Sequence, residues 1–412
     1  MKYGCIGEKL KHSFSKEIHN ALCDYEYEIR EVPRGELDAF MRGADFLGIN
    51  VTIPYKELVI PYLDFIDEHA KKIGAVNTVV KRNGKLYGYN TDFSGMTSLI
   101  HYLGIDLKGK KVAILGTGGT SKTARAVSEA LLASEIIVVS RNAGNGHINY
   151  DELYRLHSDI EVIINTTPLG MFPNNYTKPL ELSRFPALSG VVDAVYNPLR
   201  TPLISEGIER GIPSLGGLYM LVSQAVSASE IFLDKKYPAG VCDKTFKKIL
   251  REKENIVLIG MPASGKSTVA EILKAKLCRA KYDTDDLIVE TAGTPITEIF
   301  KTHGEAHFRA IEHEVTLLVA KESSAIIATG GGIILNPENI RALKQNGRVY
   351  FIDRPLSALV PTESRPLSYD RASIEKRYAE RYDIYRASAD VIIDADCDAE
   401  SVAEKILEDF QN

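Results

Sequence analysis

The chain has 412 residues, of which 44% are hydrophobic and 25% are charged, a composition typical of a globular protein with about two or three domains. Its net charge of −5 and its lack of basic runs interleaved with aromatic residues argue against a nucleic-acid-binding surface. No apolar stretch approaches the roughly 20 residues that span a bilayer, and no signal-peptide pattern opens the chain, so we expect a cytoplasmic protein that binds neither nucleic acid nor membrane.

Short β-branched segments alternate with helical patterns along the chain, which is typical of parallel α/β proteins. Residues 1–100 form a first block of such segments, and residues 101–215 form a second. An apolar helical pattern at residues 216–233 is long enough to return to the first block. Residues 234–254 are rich in lysine and have little core-forming character, so we expect a linker there, followed by a third block at residues 255–412.

The second block contains a glycine-rich turn, Gly116-Thr117-Gly118-Gly119, after a strand-like segment that ends at Leu115 and before a helical stretch. In this context the turn places a pyrophosphate at a helix N-terminus, as in dinucleotide-binding folds. The pattern is GxGGxxxxA, so the prediction depends on the strand–turn–helix order. Arg141 follows the second strand, where NAD-binding proteins carry an acidic residue, and this favours the 2′-phosphate of NADP over a solvated loop position.

The third block begins with the Walker A pattern, which runs from Gly260 to Ser267 between an apolar strand and a helical stretch. Backbone N–H groups of such a loop surround phosphates, the lysine reaches the β- and γ-phosphates, and the hydroxyl binds Mg²⁺. All eight positions of the pattern are present, so a chance glycine-rich turn is disfavoured. The predicted nucleotide-binding residues are Gly260, Ala263, Ser264, Gly265, Lys266, Ser267 and Thr268.

Polar motifs in the first two blocks, each ordinary alone, occur in the order found in one family. They are His12-Ser13-Phe14-Ser15, Asn50-Val51-Thr52-Ile53-Pro54-Tyr55-Lys56, Gly74-Ala75-Val76-Asn77-Thr78, Gly88-Tyr89-Asn90-Thr91-Asp92, Asn165-Thr166-Thr167-Pro168, Asp193-Ala194-Val195-Tyr196 and Gly217 through Gln224. With these motifs, residues 1–235 resemble shikimate dehydrogenase. The resemblance implies reduction of 3-dehydroshikimate to shikimate with NADPH.

The resemblance also assigns roles to individual residues. Lys56 is the candidate proton donor to the ketone oxygen and Asp92 its orienting partner, although a surface lysine and a helix cap are the alternatives. The implied substrate-binding residues are Ser13 and Ser15 for the carboxylate and Asn50, Thr52, Asn77, Tyr196 and Gln224 for the ring. The implied cofactor-binding residues are Gly116, Thr117, Gly118, Gly119, Arg141, Asn165, Thr166 and Gly217. The family's usual second basic residue after Arg141 is missing, and Lys16 replaces a proline that is common after Ser15.

Motifs in the third block resemble shikimate kinase over residues 255–412. They are Asp283-Thr284-Asp285, Gly304 through Glu312, Gly330-Gly331-Gly332, Arg365-Pro366-Leu367 and Arg381 through Arg386. The resemblance implies Asp283 with Ser267 at Mg²⁺, Asp285 and Lys266 in catalysis, Arg309 and Arg381 on the substrate carboxylate, Gly331 and Gly332 beside the ring, and Arg365 on the transferring phosphate. Helix capping by the aspartates and a structural pair between Arg309 and Glu312 are the alternatives, and the role of Arg386 is open.

Together these features predict an α/β chain with three parts: an N-terminal α/β substrate domain, a Rossmann NADP-binding domain, and a P-loop domain like the nucleoside monophosphate kinases. The predicted function is bifunctional, with NADPH-dependent reduction of 3-dehydroshikimate followed by Mg-ATP-dependent phosphorylation of shikimate. One alternative is an NAD-dependent quinate/shikimate dehydrogenase, and another treats the kinase half as a nucleotide-sensing module. Both a monomer and a homodimer are compatible with the sequence.

Overall fold

The computed structural model describes residues 1–10, 14–144, 146–360 and 370–411. The chain divides into an N-terminal unit, Met1–Ile249, and a C-terminal unit, Leu250–Asn412. Within the described ranges, no helix combines the length and apolarity that a membrane crossing requires.

The N-terminal unit begins with a six-stranded mixed sheet in the order β2-β1-β3-β5-β6-β4. Its strands are β1 (Tyr3–Gly7), β2 (Tyr27–Glu31), β3 (Gly48–Val51), β4 (Phe65–Ile66), β5 (Thr78–Arg82) and β6 (Lys85–Tyr89), and its helices are α1 (Ser15–Leu22), α2 (Leu37–Gly43), α3 (Glu68–Ile73) and α4 (Thr91–Tyr102). Strands β3 and β5 are antiparallel, with Asn50 opposite Thr78. Polar residues from two separate motifs therefore lie side by side.

A second sheet of the N-terminal unit has five parallel strands in the order β11-β10-β9-β7-β8. Its strands are β7 (Lys111–Leu115), β8 (Glu135–Val139), β9 (Val162–Asn165), β10 (Gly190–Asp193) and β11 (Ser214–Leu215), with helices α5 (Gly119–Ala130), α6 (Tyr150–Leu156) and α7 (Pro202–Glu209). Residues 112–115 of β7 are all fully buried, as expected for a parallel strand covered on both faces. The parallel order brings the carboxyl ends of these strands to one edge.

Helix α8 (Leu218–Leu233) connects the second sheet back to the first. It packs closely against α4: a Cβ on Gly95 would lie only 2.7 Å from the carbonyl oxygen of Met220. At its other end, Phe232 joins Cys5 and Tyr27 in a hydrophobic cluster on the first sheet. Helix α8 thus lies against both α4 and the first sheet.

The segment expected to be a linker contains a further helix, α9 (Val241–Lys253). Phe246 and Ile249 of this helix are buried, and the Phe246 ring packs edge-on against Tyr102 and Tyr219. The lysine-rich composition of the segment belongs to the exposed side of an amphipathic helix, so this part of the chain differs from the expected linker.

The C-terminal unit has one sheet of five parallel strands in the order β13-β14-β12-β15-β16. Its strands are β12 (Asn255–Ile259), β13 (Ala280–Asp283), β14 (Ala325–Ala328), β15 (Gly347–Asp353) and β16 (Val391–Asp394), and its helices are α10 (Lys266–Leu277), α11 (Thr284–Ala292), α12 (Ile296–Val319), α13 (Pro337–Asn346), α14 (Arg371–Ser388) and α15 (Ala399–Gln411). Alternate residues of β12 enter two hydrophobic clusters, with Val257 and Ile259 in one and Ile256 and Leu258 in the other. The predicted α/β class is confirmed in both units.

Candidate functional site

A cavity of about 630 Å³ in the N-terminal unit brings the separate polar motifs together. The predicted site residues that line it are Ser15, Asn50, Thr52, Lys56, Asn77, Asp92, Gly119, Tyr196, Gly217 and Gln224. Because the walls include both the first sheet and the glycine-rich turn before α5, a ring substrate and a dinucleotide can meet here. Ser13 was also predicted at this site, but it lies outside the described residues.

Lys56 and Asp92 form an ion pair at the cavity wall, with Nζ 2.6 Å from Oδ2. The neighbouring Tyr55 is fully buried and donates its hydroxyl to the Val32 carbonyl oxygen, which anchors the loop that carries Lys56. Asp92 does not cap its helix, because the Asn90 side chain accepts the hydrogen bond that caps α4. The pair keeps 24% and 15% of its side chains exposed, so both groups remain accessible to a ligand.

Three residues that we did not predict support the amides of this cavity. Tyr27 donates to Asn50, and the hydroxyls of Thr78 and Thr91 lie within hydrogen-bond distance of the Asn77 side chain. Both threonines belong to motifs identified in the sequence, and this membership was the signal that could have identified them as site residues. Nothing in the sequence connected Tyr27 with Asn50, because their contact depends on the strand order.

The glycine-rich turn after β7 has a backbone conformation that favours glycine at its first position. Gly116 has φ 103°, which favours glycine, and a Cβ at this residue would lie 3.0 Å from Oγ1 of Thr166. Gly118 precedes the first turn of α5, which begins at Gly119, and Thr117 is exposed beside them. The N–H groups at such a helix start suit an anionic ligand.

Other predicted cofactor residues surround the same edge. Thr166 donates its hydroxyl to the Leu115 carbonyl oxygen, 2.6 Å away, so it fixes the loop after β9 against β7. Gly217 must remain a glycine, since a Cβ there would overlap the Ala194 carbonyl group. Arg141 is exposed just after β8, the strand that pairs with β7.

Asn165 has a position that differs from the expectation of a cofactor contact. Its side chain is fully buried, donates to Asp193 Oδ1 at 2.9 Å and accepts from the Thr167 backbone and hydroxyl. Asp193 also accepts from Val195 N and the Thr201 hydroxyl, and burial raises the pKa of its carboxyl to about 7. Asn165 and Asp193 therefore hold together the loops after β9 and β10, which carry Thr166 and Tyr196.

In the C-terminal unit, the loop with the Walker A pattern, here called the phosphate loop, lines a cavity of about 310 Å³. Lys266 donates to the carbonyl oxygens of Gly260 and Met261, each 2.9 Å from Nζ. The predicted residues that line the cavity are Ala263, Gly265, Lys266, Ser267, Thr268, Asp283, Asp285 and Gly331. Ser264 is buried within the loop, and its Oγ lies 3.5 Å from Nζ of Lys266.

Ser267 and Asp283, the two residues predicted to bind Mg²⁺, are in direct contact. The Ser267 hydroxyl donates to Asp283 Oδ2 at 2.8 Å, while Oδ1 of the same carboxylate accepts from Asp285 N and caps α11. Asp283 thus performs the capping role without losing its contact with Ser267. Hydroxyl and carboxylate oxygens suit Mg²⁺, which takes few protein ligands and completes its shell with water and phosphate oxygens.

A second cavity of about 530 Å³ adjoins the phosphate loop, because Asp285 and Gly331 line both. Arg309 and Arg381 line this cavity, and a Cβ on Gly332 would overlap the Arg309 guanidinium group. Arg381 donates to the Gly331 carbonyl oxygen at 3.0 Å. The cavity therefore brings the predicted residues Arg309, Arg381 and Asp285 together beside the phosphate loop.

Arg309 is held by two carboxylates of its own helix. Its Nη1 lies 2.7 Å from Glu312 Oε2, and its Nη2 lies 3.0 Å from Glu305 Oε1. Burial raises the pKa of the Glu312 carboxyl, while Arg309 opposes that shift. The structural pair considered for Arg309 is thus present, and the same residue also faces the cavity.

Further residues around this cavity were missed or left open. Arg377 lines the cavity one helical turn before Arg381, a spacing that the sequence already contained. Phe308 also lines it, next to Arg309. Arg386 is exposed, with its guanidinium carbon 5.8 Å from the Tyr382 ring centroid, and does not line either cavity. Arg365 lies outside the described residues.

Comparisons with known proteins give matches in both the N-terminal and the C-terminal unit. The family model of the shikimate dehydrogenase substrate binding domain matches residues 5–79, and that of shikimate kinase matches residues 262–411. The shikimate dehydrogenase (NADP(+)) of Clostridium beijerinckii is 38% identical over 261 residues, which are 58% of this chain and 96% of the relative.

Two solved structures are similar to the first part of the chain. One is a chorismate mutase/shikimate 5-dehydrogenase fusion protein from Clostridium acetobutylicum, with 36% identity and a TM-score of 0.57 over 60% of this chain and 96% of that one. The other is shikimate 5-dehydrogenase from Listeria monocytogenes in complex with shikimate and NAD, with 28% identity and a TM-score of 0.53 over 60% and 96%. The chain therefore belongs to the shikimate dehydrogenase family and carries a shikimate kinase domain on the same polypeptide, as expected for a bifunctional shikimate-pathway enzyme.

Proposed function

We propose that the N-terminal unit reduces 3-dehydroshikimate to shikimate with NADPH and that the C-terminal unit phosphorylates shikimate to shikimate 3-phosphate with Mg-ATP. The observation that carries the first half is the Lys56–Asp92 pair, 2.6 Å apart, in a cavity that also contains Gly119 of the dinucleotide turn. The two proposed reactions share an intermediate, since the product of the first is the substrate of the second.

In the proposed reduction, bound NADPH supplies a hydride to the ketone carbon. Negative charge then grows on the ketone oxygen, where the Lys56 ammonium group stabilises it and donates a proton. Asp92 holds the ammonium group toward the cavity through its 2.6 Å contact. Buried amides at Asn50, Asn77 and Gln224 surround the remaining substituents, and each unpaired polar group there would cost about 1–3 kcal/mol.

The choice of NADPH rests on Arg141 and on the relatives. Arg141 follows β8 at the edge where a 2′-phosphate would lie, and a charge-assisted hydrogen bond to phosphate favours NADP. The relative from Clostridium beijerinckii is named for NADP, whereas the structure from Listeria monocytogenes contains NAD. An NAD-dependent quinate/shikimate dehydrogenase is therefore the alternative for this half.

In the proposed phosphorylation, Ser267 and Asp283 would hold Mg²⁺, which would neutralise charge on the phosphates. Lys266 contacts the β- and γ-phosphates, and Asp285 accepts the proton of the attacking hydroxyl. Arg309 and Arg381 bind the substrate carboxylate, which places the acceptor hydroxyl toward the phosphate loop through the shared wall at Asp285 and Gly331. A nucleotide-sensing module would not need this second cavity with its paired arginines.

We also propose that residues 1–100 together with residues 216–233 bind the substrate, that residues 101–215 bind the dinucleotide, and that residues 255–412 bind ATP. We place the enzyme in the cytoplasm, where both cofactors are available. A monomer and a homodimer remain alternatives, and light scattering after size-exclusion chromatography separates them.

The test is a product assay of the full chain with 3-dehydroshikimate, NADPH and Mg-ATP, analysed by mass spectrometry. We expect shikimate 3-phosphate with the complete mixture, shikimate alone when ATP is omitted or Mg²⁺ is chelated, and no product without NADPH. Preferential oxidation of quinate with NAD would support the alternative dehydrogenase. ATP binding without phosphate transfer to added shikimate would support the nucleotide-sensing module.

A further inference from the structure

The hydrogen bonds around Asn50 fix which end of its amide faces which neighbour. Its Nδ2 lies 3.4 Å from the Asn77 carbonyl oxygen, which only accepts hydrogen bonds, and 3.1 Å from Oγ1 of Thr78. On the other side, the Tyr27 hydroxyl donates to Oδ1 at 2.6 Å. Both hydrogens of Nδ2 are thus used within the protein, so the Asn50 amide can offer a ligand only an acceptor, Oδ1.

The Asn77 side chain differs from that of Asn50, because it offers the cavity a hydrogen-bond donor instead of an acceptor. Its Oδ1 accepts from the Thr91 backbone N–H at 2.7 Å, and a backbone N–H only donates, so the amide has one orientation. The hydroxyls of Thr78 and Thr91 lie 3.1 and 3.2 Å from the same oxygen. In the part of the chain that the structure describes, no group accepts a hydrogen bond from Asn77 Nδ2, which leaves this nitrogen as a donor to the cavity.

Gln224 also has a fixed orientation. Its Nε2 donates to the Leu221 carbonyl oxygen at 2.9 Å, and its Oε1 faces the Thr91 hydroxyl at 3.4 Å. One hydrogen of Nε2 therefore remains for a ligand. All of these amides are at least nine-tenths buried, so water does not compensate for a mismatched ligand group.

The Tyr27 ring is itself held in place. It stacks on His19 with ring centroids 3.9 Å apart and an angle of 8° between the planes. Burial lowers the pKa of His19 to about 3, which a hydrogen bond with the Asn50 side chain partly offsets, so this imidazole is neutral at ordinary pH. The direction of the Tyr27 hydroxyl is consequently set by packing before any substrate binds.

We propose that Tyr27, Thr78 and Thr91 are positioning residues that give the substrate cavity a fixed polarity, with an acceptor at Asn50 and donors at Asn77 and Gln224. This inference rests on the proposed dehydrogenase function and deepens it. A substituent opposite Asn50 must be a hydroxyl that donates, because a ketone or ether oxygen there would leave both itself and Oδ1 unpaired. The ketone oxygen of the substrate therefore cannot bind opposite Asn50. It must bind in another part of the cavity, which Lys56 also lines.

The first test uses the unmodified full chain and analogues of 3-dehydroshikimate in which each ring hydroxyl is replaced in turn by hydrogen or by fluorine. Fluorine occupies space and accepts weakly but donates nothing. At the ring position that faces Asn50, we expect both replacements to lower kcat/KM by about 100-fold or more, with no recovery by fluorine over hydrogen. Recovery by fluorine at every ring position would overturn the proposed polarity.

The second test compares Tyr27→Phe with Tyr25→Phe. Tyr25 belongs to the same aromatic cluster, but its hydroxyl contacts His19 Nδ1 and Ser229 rather than a cavity amide. We expect Tyr27→Phe to raise KM for 3-dehydroshikimate by about 5- to 100-fold with a smaller change in kcat and none in KM for NADPH. Tyr25→Phe should leave all three parameters within about twofold.

Equal effects of the two substitutions would remove Tyr27 from the positioning role. Thermal unfolding and shikimate phosphorylation, measured on the same samples, show whether each variant is folded. If Tyr27→Phe does not fold, the analogue series still decides the polarity, because it needs no variant. Failure of the parent chain to reduce 3-dehydroshikimate would instead reject the proposed dehydrogenase function.

Discussion

Replacement of Lys56 with methionine removes the ammonium group that lies 2.6 Å from Asp92 and keeps a side chain of similar length. Loss of a general acid typically slows a reaction by about 10²- to 10⁴-fold, which corresponds to about 2.7–5.5 kcal/mol in the activation barrier. Only 24% and 15% of the two side chains are exposed, so the substitution also leaves Asp92 partly buried without its lysine and should cost about 1–3 kcal/mol of folding stability. The amount of folded protein must therefore be measured alongside the rate.

The assay follows NADPH consumption under saturating substrate, with shikimate phosphorylation as an internal measure of intact protein. Lys72→Met is the matched control, because Lys72 forms a 2.9 Å ion pair with Glu129 at a more exposed position that does not line the cavity. We expect the control to retain its rate within about twofold, as surface ion pairs contribute little. A Lys56→Met variant that reduces 3-dehydroshikimate within about threefold of the parent rate would refute the proton-donor role.

Four further substitutions test two other site assignments and the backbone strain of the phosphate loop. Arg309→Lys keeps the charge but loses the planar fork, so KM for shikimate should rise by about ten- to a hundredfold while KM for ATP changes little; equal changes would contradict the carboxylate-binding role. Arg141→Ala should lower the preference for NADPH over NADH by about tenfold or more, and an unchanged kcat/KM ratio would make Arg141 a solvated loop residue. Ala263→Gly should stabilise the C-terminal unit by about 1 kcal/mol in urea unfolding, because Ala263 has φ 66° in the phosphate loop. Ser324→Gly, at φ 60° and outside both cavities, should give a similar gain without altering ATP use; a loss of stability in both variants would refute the strain argument.

The glycine-rich loops were predictable because their backbone conformations narrow the choice of residue. Gly116, Gly260 and Gly265 all have positive φ, at 103°, 155° and 91°, where a side chain is disfavoured. Each loop follows a buried parallel strand and precedes a helix, so the order of apolar and glycine segments already indicated both the fold and the phosphate sites. Local sequence was sufficient here because the backbone conformation of a short loop depends mainly on the residues within that loop.

Residues whose partners come from distant strands were not predictable in the same way. Asn165 belongs to a motif of the family, yet its amide is used by Asp193, which becomes its neighbour only through the pairing of β9 with β10. Tyr27 reaches Asn50 because β2 and β3 both flank β1. A motif therefore indicated that these residues belong to the site, while the sheet order determined what each one does there.

Lys266 and Arg309, two cationic side chains that we propose bind ligands in the C-terminal unit, have hydrogen-bond partners of different charge. The charge of these partners determines how each side chain can bind its ligand. Lys266 donates to the neutral carbonyl oxygens of Gly260 and Met261. Phosphate oxygens form stronger, charge-assisted hydrogen bonds, so a phosphate can replace these partners with a net gain. Lys266 is thus suited to move from the loop to the nucleotide.

Arg309 cannot exchange its partners in this way, since Glu305 and Glu312 are charged and belong to the same helix. Each terminal nitrogen of its guanidinium group carries a second hydrogen, however, and Nε is buried with no hydrogen-bond partner among the described residues. The substrate carboxylate can bind to these remaining hydrogens while both glutamates stay in place. In the proposed binding role, Glu312 therefore orients the guanidinium group for the substrate instead of competing with it, so the ion pair and the proposed role are compatible.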